Sequence, residues 1–207
     1  MESTQQLLYL VRHGETQSNA RGLLQGTLDS PLTERGRRQA LDIANTLRAH
    51  GAKPMLALTS PQGRARATLD IVLDALSPLG GAPARVEPCL AEMDYGTCQG
   101  MPLATLAFDP WRPGDAAARF GGETGQEVRD RATAGLYRVL DEAPGDVLAV
   151  SHGTVMSHLL EALECSEDER PSDSAPAVIE NGGILVMAYD RAGRRLSLIE
   201  TLSAPHP

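Results

Sequence analysis

The stretch Leu10-Val11-Arg12-His13-Gly14-Glu15-Thr16, followed by Asn19, decides how the chain is read, because it carries an arginine and a histidine to the end of an apolar run. Leu7 to Val11 is short and contains β-branched and aromatic side chains, which suits a buried strand, and Gly14 marks a turn directly after it. His13 thus stands at the carboxyl end of a strand. In open α/β sheets that edge is where ligands bind.

Outward from this strand, Asn19 to Pro31 is rich in Gly, Asn, Asp, Ser and Pro and reads as an ordered loop. Thr33 reads as the cap of a helix running to His50, with Ala40, Ile43, Ala44 and Leu47 at helical spacing and Gly51 as its stop. Met55 to Leu58 is a second strand. A helix starting at Ser60-Pro61 carries Ala65, Leu69, Val72, Leu73 and Leu76 on one face and ends before Pro78. Arg85 to Pro88 is a short third strand.

Met101 to Gly122 is irregular around the single tryptophan, Trp111, and a loop of that length in a compact domain suggests a lid or a specificity element. Glu123 to Asp141 returns to helical spacing, Asp146 to Ser151 is a buried strand, and a helix follows from about Gly153 to Leu163. Cys165 to Ala177 is polar and acidic and reads as a mobile surface loop. Gly183 to Tyr189 and Arg195 to Leu202 form a closing hairpin. The alternation predicts one domain over 1–207, a three-layer α/β/α sandwich with a mostly parallel central sheet.

Composition narrows the function. With 207 residues, 42% of them hydrophobic, the chain can bury a proper core. A formal charge of −8 and a pI near 5.1 argue against nucleic-acid or anionic-membrane partners, which favour clustered Lys and Arg. An aromatic content of 3% also removes the usual platform for stacking bases. No apolar run approaches the roughly 18 to 20 residues of a membrane span, and the amino terminus has no signal-peptide pattern. Cys89, Cys98 and Cys165 make no CxxC pair, so neither a disulfide framework nor a zinc site is expected, and a reducing cytoplasm is the simplest setting.

Arg-His-Gly alone is a weak signal. Four further pieces accompany it: Ser60-Pro61-Gln62-Gly63-Arg64-Ala65-Arg66-Ala67-Thr68, Leu90-Ala91-Glu92-Met93-Asp94-Tyr95-Gly96, Gly121-Gly122-Glu123-Thr124 and Val150-Ser151-His152-Gly153. In this order and at these spacings the chain resembles the histidine phosphatase superfamily, with its phosphoglycerate-mutase-like fold, from about Leu8 to Leu185. The resemblance implies that His13 is the nucleophile that becomes phosphohistidine, and that Arg12, Arg64 and His152 hold the phosphoryl oxygens. Asn19, Gln25, Gly26 and Gly153 then belong to the phosphate site, and Glu92 is the proton donor to the leaving oxygen. It implies no metal and no organic cofactor, with a small phosphorylated metabolite as the partner; a homodimer is left open.

The residues make the same demands on their own. Phosphoryl transfer spreads charge over three equatorial oxygens, so positioning and positive electrostatics dominate catalysis. A guanidinium is planar and can grip two oxygens, which a lysine cannot. A nucleophilic histidine must be neutral, and neighbouring cations favour that form. A general acid must carry its proton at neutral pH, which burial or the phosphate's own charge favours. Arg64 would further share its anion with the amino terminus of its helix.

Arg66 reads as a solvated helix residue and Asp94 as the weaker alternative to Glu92. Glu15 and Thr16 cap the turn, and Gly122 and Glu123 start a helix beside the pocket. His50 meets helix-terminal carbonyls, His158 and His206 stay outside catalysis, and Arg35, Arg37 and Arg38 form a solvated face. The family's Gly-x-x-Glu-Gly stands here as Gly96-Thr97-Cys98-Gln99-Gly100. No counterpart exists of the Glu-Arg-His-Tyr-Gly segment and long insertion of cofactor-dependent phosphoglycerate mutases. The expectation is therefore a metal-independent phosphomonoester hydrolase; the alternatives are such a mutase or a phospho-ligand-binding protein without turnover.

Overall fold

The computed structural model describes residues 5–76, 82–164 and 179–203, so Pro78, the 165–177 segment and His206 lie outside the described residues. Six strands form one sheet: β1 Gln6–Arg12, β2 Leu56–Thr59, β3 Ala84–Val86, β4 Val147–Ser151, β5 Ile184–Asp190 and β6 Arg195–Leu202. Their order is β3-β2-β4-β1-β5-β6. The first four are mutually parallel, while β5 and β6 run antiparallel, as the hairpin reading requires.

Side-chain alternation along each strand builds the three layers. Leu8, Leu10, Val147, Ala149, Leu185 and Met187 face one core, packed by Leu136, Val139 and Leu140 of α4 (Gly125–Glu142) and Met156 and Leu159 of α5 (Gly153–Glu164). Tyr9, Val11, Leu148, Val150, Ile184 and Val186 face the other. That side is covered by Ala40, Ile43 and Leu47 of α2 (Glu34–Ala49) and Leu69 and Val72 of α3 (Gly63–Leu76). A third, smaller cluster joins Leu24, Met93, Tyr95, Ala117, Val128 and Val155, with Leu103 and Phe108 against it. It fixes the irregular 101–122 segment, which contains only two 3-10 turns, onto α4 and α5.

The third strand is Ala84–Val86 rather than Arg85 to Pro88, whose last residue opens a 3-10 turn, and two further boundaries differ from the sequence reading for identifiable reasons. Gln17–Ala20 is a helical turn, α1, rather than the start of a loop, because Thr16 and Asn19 form a reciprocal capping box. Helix α3 starts at Gly63 instead of Ser60-Pro61. There Asp29, reaching from the preceding loop, accepts the Gly63 amide at 2.6 Å and the Arg64 amide at 3.2 Å.

The register of β1 against β4 decides where the chemistry sits. Arg12 pairs with Ser151, and the His13 amide donates to the Ser151 carbonyl at 3.1 Å, so His13 and His152 leave the sheet side by side. Gly14 is fixed by packing: a β-carbon there would lie 2.3 Å from the carbonyl oxygen of Gly36, in the first turn of α2. A β-carbon on Gly36 would lie closer still, 2.0 Å from the carbonyl oxygen of Glu15, so α2 reaches the turn because both glycines lack a side chain.

Candidate active site

A cavity of about 320 Å³ opens at the carboxyl edge of the parallel strands, lined by Arg12, His13, Asn19, Gln25, Gly26, Arg64 and Glu92 among others. His13 Nδ1 lies 2.8 Å from its neighbour's carbonyl, Gly14 O. A carbonyl only accepts, so Nδ1 carries the proton and Nε2 keeps its lone pair. That lone pair accepts from Arg64 Nε at 3.2 Å. Burial first, then Arg64 and Arg12, hold the imidazole well below its ordinary pKa, so it is neutral at pH 7. The ring therefore meets the two conditions for attack, tautomer and charge.

The two arginines are held differently. Arg64 donates from Nη1 to Leu28 O and from Nη2 to Gly26 O, both at 2.8 Å, which locks its guanidinium against the loop behind the cavity. Gly26 thus contributes its carbonyl to Arg64, in a left-handed conformation with φ of 57° that suits glycine. The helix-terminal anion site expected beside Arg64 is taken by Asp29, and only the side chain remains for a substrate. Arg12 donates from Nη1 to Ile179 O at 2.6 Å, while its buried Nε has no hydrogen-bond partner. Burial lowers the Arg12 pKa to about 10, still charged at neutral pH.

His152 stands behind His13, their ring centroids 5.1 Å apart and the rings edge to face. It is fully buried and is not among the residues lining the cavity. Its Nε2 lies 2.6 Å from Ser60 Oγ and 3.1 Å from Gln62 Oε1, and its Nδ1 has no partner. Gly153 likewise packs behind the site, where a β-carbon would lie 3.1 Å from Trp111 and 3.3 Å from Arg12.

Glu92 is half-buried on the cavity wall, and its carboxylate accepts the Met93 amide at 2.9 Å. Arg131 of α4 braces the segment, donating to the carbonyls of Cys89, Ala91 and Glu92 and pairing with Glu123 at 2.7 Å. Asp94 instead caps its own turn at Gly96, and Glu123 accepts the Asp94 amide, both structural roles. Arg66 is exposed. Asn19 uses Oδ1 for its capping box and for Asn181, so the contact it can offer an oxyanion is an Nδ2 donor. Gln25 reaches the cavity with its Oε1 buried and without a partner.

Several lining residues escaped sequence reading. Glu15, Leu23, Arg35, Gln39 and Asn181 also line the cavity, joined by Leu103, Pro110 and Trp111 of the 101–122 segment expected to act there and by Tyr95 of the Glu92 motif. Arg35 pairs with Glu15 at 3.2 Å at the mouth rather than belonging to a featureless solvated face. Glu15 also accepts the Thr33 hydroxyl at 2.7 Å, so it does more than cap a turn. His50 joins Tyr9 and Glu200 through its ring rather than helix-terminal carbonyls. Nothing local in the sequence signals these pairings, which come from elements far apart in the chain.

The chain has clear relatives among known proteins. The histidine phosphatase superfamily (branch 1) matches residues 8–201. A probable phosphoglycerate mutase, GpmB, from Cronobacter sakazakii is 38% identical over 164 residues, 75% of this chain and 74% of that protein. Among solved structures, a mycobacterial glucosyl-3-phosphoglycerate phosphatase crystallised with vanadate superposes with a TM-score of 0.77 at 25% identity, over 97% of this chain and 100% of that one. An alpha-ribazole-5'-P phosphatase homologue from Escherichia coli gives 0.70 at 26% identity, over 96% and 97%. The chain belongs to the histidine phosphatase superfamily, branch 1, and it has the mixed α/β fold of the phosphoglycerate-mutase-like proteins.

Proposed function

We propose that this protein is a metal-independent phosphomonoester hydrolase acting on a small phosphorylated metabolite. His13 Nε2 attacks phosphorus, the ester P–O bond breaks, and Glu92 delivers its proton to the leaving oxygen. Water then attacks the phosphohistidine, giving its proton to Glu92 as the P–N bond breaks and phosphate leaves. Arg12, Arg64 and an Asn19 amide hydrogen counter the charge on the equatorial oxygens. The observation carrying this reading is a neutral His13 whose Nε2 faces the Arg64 guanidinium on a cavity that Arg12 and the Glu92 carboxylate also line.

The phosphatase neighbours support hydrolysis, whereas the name of the GpmB relative supports isomerisation of a phosphoglycerate. Hydrolysis is favoured because the chain lacks the mutase segment Glu-Arg-His-Tyr-Gly. Released phosphate measured across a panel of metabolites, in EDTA, tests the proposal. Incubation with 3-phosphoglycerate and catalytic bisphosphoglycerate separates the two activities: isomer without free phosphate overturns the hydrolase, and no reaction with any ester leaves a binding protein.

A further inference from the structure

Trp111 lies on an irregular segment far in sequence from the phosphate motifs, yet its ring covers the Arg12 guanidinium at 4.8 Å. Arg12 needs such a partner. Its Nη1 is anchored to Ile179 O, its Nε is buried without a partner, and burial disfavours its charge. An aromatic face supplies electrostatic attraction without consuming an N–H donor, so the free edge of the guanidinium stays available to an oxyanion.

The placement of Trp111 is itself built from the site. Tyr95, three residues after Glu92, donates its hydroxyl to Pro110 O at 2.8 Å, next to Trp111, and accepts from Thr154 Oγ1 at 2.7 Å, next to Gly153. Tyr95 stacks on Phe108, and the Trp111 amide donates to Asp109 Oδ1 at 2.9 Å. Gly153 completes the sandwich, because the absence of a side chain lets α5 approach the Trp111 ring and Arg12 together. One tyrosine thus ties the acid-bearing turn, the start of α5 and the tryptophan into one unit.

We propose that Trp111 is a positioning residue for Arg12: it holds the guanidinium edge toward the phosphoryl group and forms the wall against which the leaving group lies. This rests on the phosphatase reading for its substrate, but the coupling to Arg12 can be tested on anion binding alone. Trp111 is the only tryptophan, so its emission reports its own environment.

Titration of the wild-type protein with orthovanadate and with inorganic phosphate should change tryptophan emission saturably, and Arg12→Gln should abolish that response. By calorimetry, Trp111→Ala should weaken phosphate binding about tenfold, equivalent to about 1.4 kcal/mol, with Trp111→Phe recovering part of the loss and the melting temperature unchanged. Across substrates, Trp111→Ala should lower kcat/KM more for an aryl phosphate than for glycerol phosphate. Unchanged phosphate affinity in Trp111→Ala would overturn the inference, as would an equal loss in the alanine and phenylalanine variants. Turnover without an emission response also sinks it, whereas an emission response without turnover sinks the hydrolase and leaves the Arg12 coupling standing.

Discussion

Strands β1 and β4 end alike, in a histidine followed by a glycine, and lie in register as neighbours, yet their histidines live in different surroundings. His13 reaches the cavity, with Nδ1 satisfied by the next carbonyl and Nε2 facing a guanidinium. His152 is enclosed behind it, with Nε2 tied to Ser60 and Gln62 and Nδ1 unpartnered. The difference follows from what comes after each glycine. After Gly14 the chain turns away under α2 and leaves the buried His13 lining the pocket, whereas Gly153 begins α5 at once and His152 is enclosed at its start. The same His-Gly pair at two strand ends therefore gives one histidine that lines the cavity and one enclosed beside it.

Substitution should break the comparison most sharply at the cavity-lining member, His13, the proposed nucleophile. His13→Ala should lower kcat by about 10⁴-fold or more, the scale for losing a nucleophile, with the circular-dichroism spectrum retained. An acid-labile, base-stable phosphoenzyme should be trapped on the wild type, and label on a serine would contradict the assignment. Next in size, Arg64→Ala should cost about 10²- to 10³-fold in kcat, as for removal of one charge-stabilising donor; a loss confined to KM would mean that Arg64 binds the ground state only.

At the supporting histidine the effect should be smaller. Ser60→Ala removes the nearest partner of His152 and should cost about 1–2 kcal/mol of stability, read by urea denaturation, with kcat falling about tenfold. An effect as large as that of His13→Ala would place His152 in the reaction itself.

The smallest effect is shared. Both histidines have pKa values well below 6.5 in the folded protein, through burial first and neighbouring Arg64 next. Above pH 6.5 both folded and unfolded forms are neutral there. As pH falls below about 6.5, the unfolded chain takes up protons that the folded one refuses, so stability declines. The melting temperature should drop less steeply from pH 7 to 5 in His13→Gln than in wild type, and equal slopes would refute the depressed pKa. The kcat profile should likewise keep its acidic limb below pH 6.5.

Much of the sheet was legible because β1, β2, β4 and β5 are short, largely buried apolar runs, and because apolar spacing in α2 and α4 follows the helical period. Errors fell where a side chain from elsewhere decides an end, as Asp29 does for α3. At the site, Arg12, His13, Arg64 and Glu92 converge on one cavity as the motifs imply. His152 and Gly153 sit behind it, which no spacing rule distinguishes from lining it. The sequence placed Trp111 in a lid or specificity segment and Tyr95 in the Glu92 motif but could not give their partners, and Asn181 carried no pattern at all, since each acts through a partner distant in sequence.

By itself the sequence determined the order of elements, the two strand-end histidines, the cationic character of the pocket and membership of a superfamily, because these depend on local periodicity and residue chemistry. Tertiary structure alone decided which histidine meets the cavity, that Asp29 closes the α3 terminus, and that the irregular segment sets an aromatic ring on Arg12. Those outcomes depend on how separate elements approach one another, and close packing transmits a contact of a few ångströms between residues that are a hundred positions apart.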